Sequence, residues 1–216
     1  IFSSSATIYG DQYDSPITEK VIPKPINTYG YTKLSIENLL SSIYSKGNDN
    51  WHIIILRYFN PAGNHFSGKM GEDPKGIPTN LFPILCKVAI GEIDKLIVNG
   101  NDWDTVDGTG VRDYIHVMDL AEGHIKALDY SNKKKKSFLV LNLGTGHGTS
   151  VLQFIKTFER VNKIKLPYEI GIKRFGDSAE VYADCHKAKR VIGWEAKRSI
   201  DDICKDGWSW HQKRLQ

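Results

Sequence analysis

The chain has 216 residues, 40% of them hydrophobic and 25% charged, and a net charge of +4 made of both signs. That composition excludes a disordered chain, and the mixed charge gives no reason to invoke nucleic acid or a membrane surface as a partner. No apolar run approaches the ~20 residues that span a bilayer. Cys86, Cys185 and Cys204 are an odd set at wide spacing without a CxxC pair, which argues against a disulfide framework or a zinc site and suits a reducing cytoplasm.

Ile1 to Tyr9 reads as the end of a buried strand with Ser3, Ser4 and Ser5 at its carboxyl edge, the edge at which ligands collect in open parallel sheets. A chain that opens inside a strand is expected to be truncated at its N-terminus. Asp11 to Thr28 carries Pro16, Pro23 and Pro25 and is a loop. From Tyr29 the apolar positions Leu34, Ile36, Leu39, Leu40 and Ile43 repeat with helical period, and Gly47 ends the run. Trp51 to Tyr58 is almost continuously apolar, the signature of a strand covered on both faces and hence of a parallel α/β sheet. Asn60 to Gly76 is a long polar loop suited to a substrate.

Beyond it the pattern predicts a helix over Ile77 to Glu92, a strand over Lys95 to Asn99, an Asp- and Gly-dense loop over Asn101 to Gly110, and one strand over Val111 to Val117 carrying Arg112. A helix over Asp119 to Tyr130, a solvated loop at Lys133 to Lys136 and a strand over Phe138 to Leu143 follow. Ser150 caps a helix to about Asn162; a strand over Tyr168 to Ile172, the segment Arg174 to Asp184 and a last amphipathic helix over Ser199 to Lys213 complete the chain.

Tyr29 and Lys33 are four apart on the predicted helix, so their side chains share one face. A free phenol ionises near pH ~10, and a cation a few ångströms away favours its charged form, so such a pair makes a proton-transferring base. The plainer reading is chance spacing on an amphipathic helix. Gly144, Gly146 and Gly148 follow a strand and precede a helix, but Thr149 breaks the GxGxxG spacing of a dinucleotide loop, which leaves a strand-to-helix turn. His65, His116, His124 and His147 lie in different elements without ligand spacing, and Asp107, Asp113 and Asp119 lack that of a cation loop. No metal is expected.

The blocks FSSSATIYG, YGYTK, LRYFNPAGNH, GEDPKGIPTNL, DGTGVRDYIHVMDLAEGH, NLGTGHGTSV and GDSAEVYAD cover nearly the whole chain. In them the sequence resembles the extended short-chain dehydrogenase/reductases, and within these the branch that inverts C4 of UDP-hexoses. The resemblance implies an α/β fold: an incomplete Rossmann-like parallel sheet over residues 1–60, with the rest mainly a smaller UDP-sugar lobe over 61–216 that returns to the first domain around 111–143. It implies NAD as cofactor, a UDP-sugar as substrate (UDP-galactose and UDP-glucose interconverted through a 4-keto sugar) and a homodimer. The glycine-rich pyrophosphate turn with which the family opens is missing from the sequence, so these residues alone are expected to be inactive and poorly soluble.

By that likeness Tyr29 is the base, Ser5 fixes the C4 hydroxyl and Lys33 lies beside the nicotinamide ribose, while Ser3, Tyr58, Phe59 and Pro61 face the cofactor. Asn60, Asn80 and Leu81 would border sugar and diphosphate, and Val98 and Asn99 the uracil. Arg112 and Arg174 would hold phosphate oxygens, Asp177 the ribose hydroxyls, and Tyr114 the same ligand. The sequence departs from the family pattern at Lys173, Thr79 and Val181. The last borders C2 of the sugar in the family, and a valine there implies room for an N-acetyl group. Ala6 and Thr7 stand where related 4,6-dehydratases carry acids. A decarboxylase of UDP-sugars and a non-catalytic sugar-nucleotide-binding module are the alternatives.

Overall fold

The computed structural model describes residues 1–11, 13–47, 51–76, 78–133, 136–174 and 176–214. In chain order they form β1 (Phe2–Ser5), a 3-10 turn (Ala6–Tyr9), α1 (Thr28–Lys46), β2 (His52–Tyr58), β3 (Asn60–Ala62), α2 (Leu81–Ala89), β4 (Leu96–Asn99) and β5 (Val111–Arg112). β6 (Tyr114–His116), α3 (Val117–Asn132), β7 (Ser137–Leu143), β8 (Thr149–Ser150), α4 (Val151–Asn162), β9 (Tyr168–Gly171), β10 (Glu180–Val181), α5 (His186–Ile192) and α6 (Ile200–Arg214) follow.

β2 is the central strand of a parallel sheet in the order β1-β2-β7. Its residues 53–57 are buried without interruption, as the apolar run predicts. The register sets Ser5 beside Tyr58 and Tyr58 beside Leu143, so three carboxyl ends finish flush and their following loops open on one edge. Arg57 sits inside this run with only 5% of its surface exposed. Its Nε and Nη2 donate to the two Glu37 carboxylate oxygens (3.1 and 2.6 Å), and its Nη1 donates to Tyr9 Oη at 3.0 Å. Ser4 Oγ donates to the same carboxylate. A charge in a strand core therefore ties β1, α1 and the 3-10 turn together.

α1 buries little besides Gly30 and Glu37. Asn27 caps it, its side chain accepting from the Gly30 amide at 2.8 Å. A Cβ at Gly30 would stand 2.9 Å from the Thr7 carbonyl and 2.7 Å from Pro25, so the missing side chain lets the first turn of α1 lie against the 3-10 turn. A second core gathers Phe82, Phe154, Phe158, Ile203 and Trp208 from α2, α4 and α6, with edge-to-face ring pairs at 5.8 to 6.3 Å. Ser150 and Gln153 form a full capping box on α4.

The predicted helix over Ile77 to Glu92 starts later, at Leu81, because Pro78 and the loop before it keep the chain extended; Ile77 lies outside the described residues. Pro83 is tolerated in its first turn, where an amide has no partner in any case. The single strand expected over Val111 to Val117 is two strands in different sheets, broken at Asp113. The loop from Asn60 opens with β3, paired in parallel with β6. α5 forms in the stretch between Asp184 and Ser199, to which the sequence pattern assigns no element. Within the basic block, Lys134 and Lys135 lie outside the described residues.

Candidate functional site

A cleft of about 1130 Å³ opens beyond the carboxyl edge of the sheet. Ser5, Tyr29, Phe59, Asn60, Pro61, Asn80, Leu81, Val98, Asn99, Arg112, Tyr114, Arg174 and Asp177 all line it. Residues spread from position 5 to 177 thus meet on one wall system. Ser3, Lys33, Tyr58 and Val181 do not line it.

Ser5 ends β1 and caps the 3-10 turn: its Oγ accepts from the Thr7 amide at 3.2 Å and lies 2.9 Å from Thr7 Oγ1. The plain turn role and a place on the cleft wall coexist in one side chain. Tyr29 stands in the first turn of α1, 54% exposed, with Lys33 Nζ 5.5 Å from its ring centroid. That ammonium donates to the Ser3 carbonyl at 2.8 Å, which fixes it between helix and strand. Tyr58 Oη is 2.8 Å from Ser3 Oγ and also hydrogen-bonded to His124 Nε2; burial pushes this phenol up. Ser3, Lys33 and Tyr58 thereby form a patch of polar groups behind Tyr29.

Arg112 is held before any ligand arrives. Its Nη1 donates to the carbonyls of Val111 and Ser178 at 2.8 and 2.9 Å, and Nη2 is 3.9 Å from Asp177 Oδ2. Lys95, Arg112 and Arg174 against Asp177 leave the lining with a cationic excess, suited to a diphosphate. Tyr114 is largely core, packed edge-on against Phe154 at 4.5 Å, and burial pushes its phenol up. Val181 is bonded in β10 beside Arg112, its carbonyl accepting from the Asp113 amide at 3.1 Å.

Two residues that shape the site have no role in the sequence reading, which weighs Asp113 only as a cation ligand and does not single out Trp103. Asp113, wholly buried, accepts from Thr145 N and Oγ1 at 2.7 Å each and from Gly146 N and Ala183 N at 3.1 Å each. Burial pushes its carboxyl up against the pull of those donors. It fixes the strands on either side of it, and so Arg112 and Tyr114. The only sequence signal was a lone carboxylate inside an apolar pattern. The other is Trp103, half-buried on the cleft wall, the one aromatic in a loop dense in Asp, Thr and Gly.

The Gly144 to Gly148 turn offers no anion cradle. The Gly146 amide is taken by Asp113, and a Cβ at Gly144 would lie 2.4 Å from that carboxylate. Asp107 is likewise bound to Ser150 and Thr109, and Asp119 to Arg198.

A family model described as GDP-mannose 4,6 dehydratase matches residues 1–207. UDP-glucose 4-epimerase of Bacillus subtilis (strain 168) is 50% identical over 215 residues, which are 100% of this chain and 63% of that protein. The crystal structure of UDP-glucose-4-epimerase from Stenotrophomonas maltophila, with bound NAD and formylated UDP-arabinopyranose, superposes with a TM-score of 0.96 at 44% identity, covering 99% of this chain and 63% of that one. The enzyme from Bifidobacterium longum in complex with NAD+ and UDP gives 0.92 at 48% identity, over 99% and 63%. The chain therefore spans less than two thirds of the length of these relatives.

Proposed function

The chain belongs to the family described as GDP-mannose 4,6 dehydratase, the extended short-chain dehydrogenase/reductase lineage, and on that footing we propose that it carries the catalytic and UDP-sugar-binding part of an NAD-dependent UDP-glucose 4-epimerase. The observation that carries the reading is that Ser5 and Tyr29 share one cleft with Arg112, Arg174 and Asp177. The relatives' names, UDP-glucose 4-epimerase, support UDP-glucose as one substrate, and inversion at its C4 gives UDP-galactose as the other. A dehydratase needs a carboxyl to protonate a leaving hydroxyl, and Ala6 and Thr7 beside Ser5 supply none.

In this reading Tyr29 takes the proton of the C4 hydroxyl and later returns it, while Ser5 holds that hydroxyl. NAD, when bound, supplies the acceptance of hydride from C4 and its return to the other face of the 4-keto sugar. Ser3, Lys33 and Tyr58 offer hydroxyls and an ammonium on one patch, with Phe59 and Pro61 beside them, and these fit the nicotinamide ribose end. The one glycine-rich strand-to-helix turn singled out in the sequence, Gly144 to Gly148, has its Gly146 amide taken by Asp113 and does not suit the pyrophosphate, so turnover by these 216 residues alone is not expected.

Asn60, Asn80 and Leu81 border the sugar, Val98 and Asn99 the uracil, Arg112 and Arg174 the phosphates, and Asp177 the ribose. Tyr114 backs this wall. Val181, although off the cleft wall, neighbours Arg112, and its small side chain suits an N-acetyl group at C2. That β7 joins β1 and β2 in one sheet supports a division near residue 60 with a return to the first domain around 111–143. Tyr31 and Leu39, 57% and 58% exposed on α1, suit a homodimer. Unpaired cysteines suit the cytoplasm, and no helix among the described residues is long and apolar enough to cross a membrane.

The test is UDP-galactose to UDP-glucose turnover with NAD added, on this chain and on the chain expressed in frame with any upstream coding segment. Turnover that Tyr29→Phe lowers by ~100-fold or more, with UDP binding retained, is the expected result. Absence of turnover in both forms overturns the proposal.

A further inference from the structure

The polar patch behind Tyr29 has a second layer. His124 sits on α3, half-buried, and both of its ring nitrogens are bonded. Nδ1 is 2.9 Å from the Leu120 carbonyl one turn earlier on α3, and because a carbonyl can only accept, Nδ1 carries a proton. Nε2 is hydrogen-bonded to Tyr58 Oη, with the two rings tilted at 57° and their centroids 5.4 Å apart. The phenol, with one proton and two lone pairs, also serves Ser3 Oγ at 2.8 Å, and the Ser3 carbonyl accepts from Lys33 Nζ at 2.8 Å. A string of bonds thus runs from α3 across β2 and β1 to α1.

Packing brings the imidazole there. Gly123 and Ala127 are buried on α3, and a Cβ at Gly123 would stand 2.9 Å from Leu143 Cδ1 and 3.3 Å from the Trp194 ring. The missing side chain lets α3 lie close against the sheet, so that residue 124 reaches the end of β2. A role in packing alone asks for an apolar side chain here. An imidazole instead needs partners for its nitrogens, and these are spent on its own helix and on the phenol. Burial above all, with Tyr29 nearby, pushes the Tyr58 phenol up, so the hydroxyl keeps the proton that the string needs.

We propose that His124 is a positioning residue of the cofactor end, which acts through the Tyr58 phenol to fix the patch of Ser3, Tyr58 and Lys33 before a dinucleotide arrives. The proposal rests on the NAD reading and adds to it a residue that acts only through another. Tyr58 is the last residue of β2. Holding its phenol from behind removes an ordering cost that binding would otherwise carry.

The experiment measures NAD and UDP affinity by calorimetry, on this chain and on the chain in frame with any upstream coding segment. The variants are His124→Phe, which keeps a ring without nitrogens, and His124→Gln, which keeps a polar end at the reach of Nε2, each also combined with Tyr58→Phe. In the form that binds NAD, His124→Phe should weaken NAD by ~10-fold and His124→Gln by less than ~3-fold, with UDP affinity unchanged in both. With Tyr58→Phe in place, the His124 changes should have no further effect on NAD, because the hydroxyl through which they act is gone. His124→Ala takes the place of His124→Phe in this cycle if the latter does not fold. NAD binding by His124→Phe as tight as native overturns the proposal. So does a further loss in the Tyr58→Phe background, or an equal loss of NAD and UDP, each of which marks a structural role. A native chain that binds UDP but not NAD in either form overturns the NAD reading itself, and the proposal with it.

Discussion

Glu37→Leu should destabilise the chain far more than any surface ion pair can. Both side chains of the Glu37–Arg57 pair are 6% exposed, and the guanidinium makes two bonds to the carboxylate with Tyr9 Oη as its remaining acceptor. Removing the acid leaves a cation in the core of the central sheet, which costs ~3–5 kcal/mol. With a urea slope of ~2 kcal/mol/M, the unfolding midpoint should fall by ~1.5–2.5 M. The double variant Glu37→Leu with Arg57→Met removes both charges and should recover most of that loss, to within ~1–2 kcal/mol of native. Asp201→Ala is the control: its partner Arg160 is 63% exposed, so the change should stay below ~1 kcal/mol. Urea melts followed by circular dichroism read all three. A single variant within ~1 kcal/mol of native, or a double variant as unstable as the sum of its parts, would refute the reasoning.

Asp113→Asn replaces an oxygen with an N–H₂ group among four donors and should cost ~2–4 kcal/mol in the same assay while weakening pyrophosphate binding, because Arg112 loses its anchor strand. Gly144→Ala drives a methyl to 2.4 Å from that carboxylate and should be similarly destabilising; a neutral result would mean that the turn yields. Burial holds the His211 imidazole down to about 4, against ~6.5 when free. Below pH ~6.5 the unfolded chain takes a proton that the folded chain refuses, so this group's stability is full above that pH and is lost as pH falls towards 4. His211→Gln should flatten the fall of the urea midpoint across that window, and an unchanged slope would contradict it.

Local chemistry decided much of this protein at the level of sequence. The apolar run of β2, the helix cap at Ser150, and the Tyr29 and Lys33 pair on one helix face depend on neighbours within a few residues. They are therefore readable from spacing alone. The resemblance carried thirteen residues to positions that the fold gathers on one cleft.

What the sequence could not yield were relations across long separations. Arg57 reads as a break in an apolar strand until Glu37, 20 residues away, and Tyr9, 48 away, close around it. Asp113 reads as a stray acid until Thr145, Gly146 and Ala183 bring their donors to it, and Val111 to Val117 reads as one strand until that hub splits it between two sheets. Trp103 is an odd aromatic in a polar loop until Lys173 covers it, 70 residues on (173 − 103). In each case a polar or bulky group is explained by partners whose approach is fixed by packing, and packing is a property of the assembled chain that spacing along it does not encode.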